Sequence, residues 1–294
     1  METAAALLRN WRLETDMGLS PIAKRHESGS KGTCTKIPRG TSHRQMRTFP
    51  AHYLRPYIKT MRFQEPQWHD ELPSTNTTLV EWLREGRDLP DGFVLAARSQ
   101  TAGRGRYERQ WLVRPGRNLT FSALLQTAAS PLQFLSLPQA AALGVVAYLE
   151  ENGLEAQTKW PNDVLVDGRK ICGILAERCN GVVLGIGLNV NMDADEAASI
   201  GQPATSLRIE TGTERDVERA LDELLVHLQV WIGRWEKGGF AALSAAWESH
   251  CANLGQYVAV GEYTGVVLGF GSAGQLLLRE DDGTRREVWT GDVA

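Results

Sequence analysis

Three short stretches hold most of the side chains that could do chemistry. Residues 103–109 read GRGRYER and put three guanidiniums, Arg104, Arg106 and Arg109, within six positions. Such cations repel one another unless an anion sits among them. Gly103 and Gly105 let backbone approach a ligand closely, and Trp111 offers an aromatic face for stacking or for packing a lid. A flexible basic lid of this kind suits a nucleotide phosphate.

The second stretch, KWPNDVLVDGRKICGIL at 159–175, reads as a β-hairpin turning at Asp167-Gly168. A two-residue turn makes Val166 face Arg169, Leu165 face Lys170 and Asp163 face Cys172. Asp163, Leu165, Lys170 and Cys172 then share one face, with Asp163 and Lys170 diagonal at about 7–8 Å between Cα atoms. A salt bridge accounts for that pair, and so does an anionic ligand. Cys172 and Ile174 would continue the face toward the core, where a lysine needs a partner. Pro161, with its fixed φ, would hold Asn162 and Asp163 in one orientation. The third stretch, Ser74-Thr75-Asn76, has the residue types that cap a helix.

Common catalytic signatures are missing. There is no Walker A sequence, no HExxH and no GxSxG, and the six histidines form no cluster. GFGSAG at 269–274 matches the dinucleotide pattern, but a strand follows it where a helix is needed, so it reads as a turn. Chemistry here would run without a covalent enzyme intermediate, by positioning reactants and neutralising charge.

The elements around these stretches follow from periodicity. A short strand precedes a helix that starts at the Ser-Thr-Asn cluster and ends at Gly86. Strands are expected at 92–98, 118–126 and 181–191, and a strongly apolar helix at 137–153. Residues 214–251 read as helix broken at Gly238-Gly239. The last forty residues are short strands with glycine turns, an all-β module.

Bulk properties set the class. The chain has 294 residues, 42% hydrophobic and 23% charged, with a net charge of −3, as expected for a globular protein. No continuous apolar run of membrane-spanning length stands out, so no membrane partner is expected. Cys34, Cys172, Cys179 and Cys251 lack metal-ligand spacing, which points to free thiols in a reducing cytoplasm. Residues 1–60 carry 11 Lys and Arg against 4 Asp and Glu, while the rest carries 21 against 31. The basic arm reads as a disordered extension, a start placed too early, or a nucleic-acid-binding arm.

STN (74–76), QTAGRGR (100–106), RQW (109–111), KWPND (159–163), GRKICGIL (168–175) and GIGLNVN (185–191) together resemble the biotin–protein ligases in order and spacing. The likeness spans about residues 68 to 294. It implies an α+β fold: a mixed sheet with helices, related to class II aminoacyl-tRNA synthetases, followed by a small SH3-like β-barrel. The expected division is a basic extension at 1–66, a catalytic domain at 67–252 and the SH3-like module at 253–294.

The resemblance implies ATP-dependent activation of biotin to biotinyl-5′-AMP and transfer to one lysine of a carrier domain, as in acetyl-CoA carboxylase. By matching position, Ser74, Thr75, Asn76 and Gln100 would hold the ureido head, with Arg104, Gly105 and Arg106 closing over it. Lys170 would lie along the carboxylate and α-phosphate, with Arg106 and Asp163 also at the reaction centre. Arg109, Trp111, Asn162 and Asn189 would serve the nucleotide, and Asp163 would help place Mg²⁺ or orient Lys170. Many bacterial relatives carry an N-terminal DNA-binding domain. Residues 1–66 show no paired helices of that kind, so specific DNA binding is not expected, while a homodimer is open. A lipoate–protein ligase or octanoyltransferase of the same fold is the nearest alternative, and the polar Ser-Thr-Asn and Gln100 set favours a ureido head over it.

Overall fold

A computed structural model of the chain describes residues 62–111 and 114–294. The basic arm, Cys34 and the expectations for residues 1–61 lie outside the described residues. A seven-stranded sheet carries the fold, built from β1 (Gln67–Leu72), β2 (Val94–Gln100), β3 (Leu119–Leu125), β4 (Ala156–Lys159), β5 (Asp163–Val166), β6 (Arg169–Arg178) and β7 (Val182–Leu188). Its order is β1-β2-β3-β7-β6-β5-β4, parallel between β1 and β2 and antiparallel elsewhere. The expected mixed α+β sheet is therefore present.

Helices cover the sheet's two faces because its central strands are apolar on both sides. Every residue of β3 is buried. Helices α1 (Thr75–Arg84), α2 (Leu137–Glu151), α3 (Val217–Gly238) and α4 (Ser244–His250) supply the cover. On one face, Phe121, Leu119 and Ile186 join one hydrophobic cluster with Leu143 and Val146 of α2 and Leu224, Leu228 and Trp231 of α3. On the other, Leu79, Val80 and Leu83 of α1 sit on Leu95, Leu124 and Val183. Ser74 caps α1, its side chain accepting from the Thr77 N–H, so part of the Ser-Thr-Asn signal is local helix chemistry.

One sequence expectation needs correction. The helical segment Pro131–Glu151 is long and apolar enough by composition to cross a bilayer, but most of it is buried. It is a core helix, apolar nearly all round because α3 and the sheet enclose it.

The C-terminal strands β8 (Tyr257–Val260), β9 (Tyr263–Phe270), β10 (Leu276–Arg279) and β11 (Arg285–Val288) form an antiparallel sheet in the order β11-β10-β9-β8. This is compatible with the expected SH3-like module. Val258, Val260, Leu276 and Leu278 belong to the same hydrophobic cluster as α2 and α3. The buried Trp160 indole donates to the Gly274 carbonyl at 3.0 Å and Gln139 donates to the same oxygen at 2.9 Å. The GFGSAG stretch is the β9–β10 turn that supplies this carbonyl.

Candidate active site

The α1 face of the sheet carries the site, and strand alternation selects what reaches it. Thr120 and Ser122 of β3, Gly185 and Gly187 of β7 and Gly173 of β6 face one another across paired registers. A Cβ at Gly187 would overlap the Trp111 indole, and one at Gly185 would overlap the Asn76 amide. The two glycines therefore cut a floor into the sheet, with Trp111 over one half and Asn76 over the other. Apart from Ser122, these residues line a single cavity.

The Asn76 end is a polar pocket. Thr75 N–H donates to Gln100 Oε1 at 2.7 Å. Ser122 Oγ lies 2.8 Å from Thr75 Oγ1 and 2.6 Å from Asn76 Oδ1. Asn76 Nδ2 donates to Glu177 Oε2 at 2.7 Å. Ser74, Thr75 and Asn76 are all buried, held by the first turn of α1.

Cations hold the opposite end. Lys170 Nζ lies 2.8 Å from Asp163 Oδ1 and 5.8 Å from the centre of the Trp111 ring. Asp163 Oδ1 is buried, with the Lys170 ammonium as the cation against it. Sequence reasoning places Asp163 opposite Cys172, but the observed partner is Gly173, because a bulge shifts the register between Val164 and Leu165. Cys172 instead pairs with Val164 and is fully buried in the core. Burial pushes its thiol pKa far up. The shared face predicted for Asp163, Lys170 and Cys172 is thus corrected: Lys170 and Asp163 face the cavity, and Cys172 faces the core.

The arginine loop folds into a tight hairpin rather than an open arm. Arg104 bridges Gln110, Gly105 N–H donates to the Arg109 carbonyl at 2.7 Å, and Tyr107 sits in the left-handed region at φ 53. Arg106 is clamped by Asn162 Oδ1 at 3.1 Å, Gly291 O at 3.1 Å and Asp292 Oδ1 at 3.3 Å. Arg109 reaches the other Asp292 oxygen at 2.7 Å. Asn162 is fixed in turn by its Nδ2 donating to Ile174 O at 2.7 Å. Arg104 leans the other way and donates to Glu177 at 3.1 Å and to Thr77 Oγ1 at 3.0 Å.

Of the residues singled out in sequence, Ser74, Thr75, Asn76, Gln100, Arg104, Gly105, Arg106, Arg109, Trp111, Asn162, Asp163 and Lys170 all line this cavity. Asn189 does not. It is buried, with Nδ2 donating to Thr205 O at 3.0 Å and its backbone N–H bonded to Ile171. There it braces the segment whose Pro203 and Thr205 bond the Lys170 backbone. Sequence reasoning missed Ser122, Glu177, Asp292 and the glycine floor. The alternating GIG of GIGLNVN was a readable sign of the floor, whereas Asp292 had none.

Residues 68–193 match the Biotin/lipoate A/B protein ligase family. The chain is 31% identical over 238 residues to the bifunctional ligase/repressor BirA of Bacillus subtilis, covering 77% of this chain and 72% of that protein. It is 32% identical to the biotin–[acetyl-CoA-carboxylase] ligase of Paracoccus denitrificans, covering 71% of this chain and 92% of the relative. The fold superposes on the biotin protein ligase of Aquifex aeolicus in complex with biotin and ATP, with a TM-score of 0.68 and 31% identity over 79% of this chain and 98% of that one. A sheet face cut by glycines, flanked by a polar pocket and converging cations, thus accompanies these likenesses, and the chain belongs to the biotin–protein ligases.

Proposed function

We propose that the chain activates biotin with ATP to biotinyl-5′-AMP, releasing pyrophosphate, and passes the biotinyl group to a lysine of a biotin carboxyl carrier domain. One observation carries this reading. A pocket lined by neutral hydrogen-bonding groups opens directly onto Lys170, Arg106 and Arg109, whose present partners are the chain's own Asp163 and Asp292 carboxylates. A ureido head fits the first and a carboxylate meeting an α-phosphate fits the second.

In the first step the biotin carboxylate attacks the α-phosphorus and pyrophosphate leaves. Both reactants are anions, so approach depends on neutralisation. Each nearby cation is worth about 4 kcal/mol at 4 Å and an effective dielectric near 20. Lys170 would lie along the carboxylate and α-phosphate, and Arg106 with Arg109 would exchange Asp292 for phosphate oxygens. Trp111 would cover the mixed anhydride and exclude water. In the second step the carrier lysine, as the neutral amine, attacks the acyl carbon and AMP leaves.

Asp163 would help place the Mg²⁺ that accompanies ATP, since its carboxylate lines the cavity beside Lys170. Mg²⁺ is held by one or two carboxylates together with substrate phosphates, so a larger cluster is not required. When bound it supplies charge neutralisation on the phosphates. Residues 67–252 would form the catalytic domain and 253–294 the module that latches the arginine loop.

The free Cys172, Cys179 and Cys251 support a reducing, cytoplasmic setting. The chain would act without sequence-specific DNA binding. A sequence-specific shift of operator-like duplex at physiological salt would contradict that.

The test is intact-mass spectrometry of an apo carrier domain after incubation with the protein, MgATP and biotin, with lipoate in parallel. A gain of one biotinyl group with biotin alone supports the reading. Modification by lipoate alone moves the protein to the sister activity, and no gain with either defeats both.

A further inference from the structure

We propose that Glu177, outside every motif singled out in the sequence, sets the hydrogen-bond polarity of the headgroup pocket and joins it to the arginine loop. The inference deepens the ligase reading and rests on it for the identity of the headgroup. Glu177 lies on β6, on the same sheet face as Gly173, and its carboxylate meets two residues from different elements. Oε2 accepts from Asn76 Nδ2 at 2.7 Å, while Arg104 Nη2 donates to both oxygens at 3.1 and 3.2 Å.

A carboxylate only accepts, so Asn76 must turn its NH₂ toward Glu177 and its Oδ1 away. That oxygen then faces Ser122 Oγ at 2.6 Å and must receive the single Ser122 hydroxyl proton. Ser122 Oγ also meets Thr75 Oγ1 at 2.8 Å, which ties the Asn76 amide to the wall that Thr75 forms. The Asn76 amide is thus fixed in one orientation, its NH₂ on Glu177 and its oxygen on Ser122.

Thr75 and Asn76 both line the cavity, so this network holds the wall that faces a headgroup. Gln100 is oriented independently, because Oε1 accepts the Thr75 backbone N–H at 2.7 Å and leaves Nε2 as a donor. The hydroxyls and amides of this wall complement the N–H and C=O of a cyclic urea. Glu177 is thus a positioning residue that acts through Asn76 and Ser122. Through Arg104, it also ties the same pocket to the loop that would close over the product.

Two measurements test this on the full chain. In the first, biotin-dependent ATP–pyrophosphate exchange is compared for wild type and Glu177→Gln. An amide side chain can donate as well as accept, so it frees the Asn76 amide to turn. The variant should raise KM for biotin about tenfold or more, beyond any fall in kcat. An unchanged KM would overturn the proposal. Exchange by the wild type with biotin separates the two readings: without it the ligase assignment fails, and with it the variant judges Glu177 alone.

The second measurement needs no ligand. Asn76→Asp sets a second acceptor-only carboxylate against Glu177 and should lower Tm. Adding Glu177→Gln to it restores a donor–acceptor pair and should recover most of that loss. A double variant no more stable than Asn76→Asp would show that the two side chains are not coupled, and the proposal would fall.

Discussion

Lys170 Nζ stands 2.8 Å from Asp163 Oδ1 across the β5–β6 hairpin, and both side chains face the cavity. The ion pair sits in a largely buried setting, so an incoming anion competes with Asp163 for the lysine. Lys170→Ala should cut ATP–pyrophosphate exchange with biotin by on the order of 10²–10³-fold, the range for losing one preorganised charge stabiliser. Folding should survive, read by an unchanged circular dichroism spectrum. A variant that keeps most of its exchange rate would remove Lys170 from the chemistry.

The two floor glycines should separate the two substrates. Gly185→Ala drives a methyl group into the Asn76 amide, and Gly187→Ala drives one into the Trp111 indole. The first should raise KM for biotin about tenfold, or about 1.4 kcal/mol, and leave ATP nearly untouched. The second should do the reverse. Steady-state kinetics with each substrate varied would check this, and equal effects on both would dissolve the division of the cavity.

Arg106 and Asp292 should have opposite signatures. Arg106 clamps Asn162 and the 290–292 segment, so Arg106→Gly opens the loop and should release the adenylate, giving diffuse biotinylation of bystander lysines. Asp292→Ala removes only the internal counter-anion of Arg106 and Arg109. It should lower KM for ATP several-fold, since phosphate no longer displaces a carboxylate. Peptide mapping of a bystander protein reads the first and initial rates read the second. A fully specific Arg106→Gly would rule out intermediate retention by that residue.

Acid should weaken the α2–α3 packing through His227. Its ring is buried, edge-on to Tyr148 at 6.0 Å between centroids, with Nε2 2.7 Å from Glu151. Burial holds its pKa below the ordinary value, outweighing the pull of Glu151 and Glu223. Protonation is therefore easier in the unfolded chain. Its stabilising contribution is complete above the ordinary histidine pKa, near 6.5, and is lost as pH falls through the lower folded value. His227→Gln should show a shallower loss of urea midpoint between about pH 7.5 and 5.5. An unchanged slope would assign the acid sensitivity elsewhere.

Local spacing carried much of this protein in its sequence. The Asp167-Gly168 turn brought Lys170 near Asp163, the Ser74 cap started α1, and glycines spaced the three arginines, because turns, caps and alternation depend on neighbours a few residues apart. Family likeness then gathered most of the cavity lining. Packing decided the rest. One bulge in β6 turned Cys172 into the core, and Asn189 was drawn to Thr205 rather than the cavity. Glu177 met Asn76 and Arg104 across 101 and 73 positions of chain, and Asp292 came from the far β module to hold Arg106. Such meetings depend on which faces of distant elements bury against each other, and no local pattern of residue types encodes them.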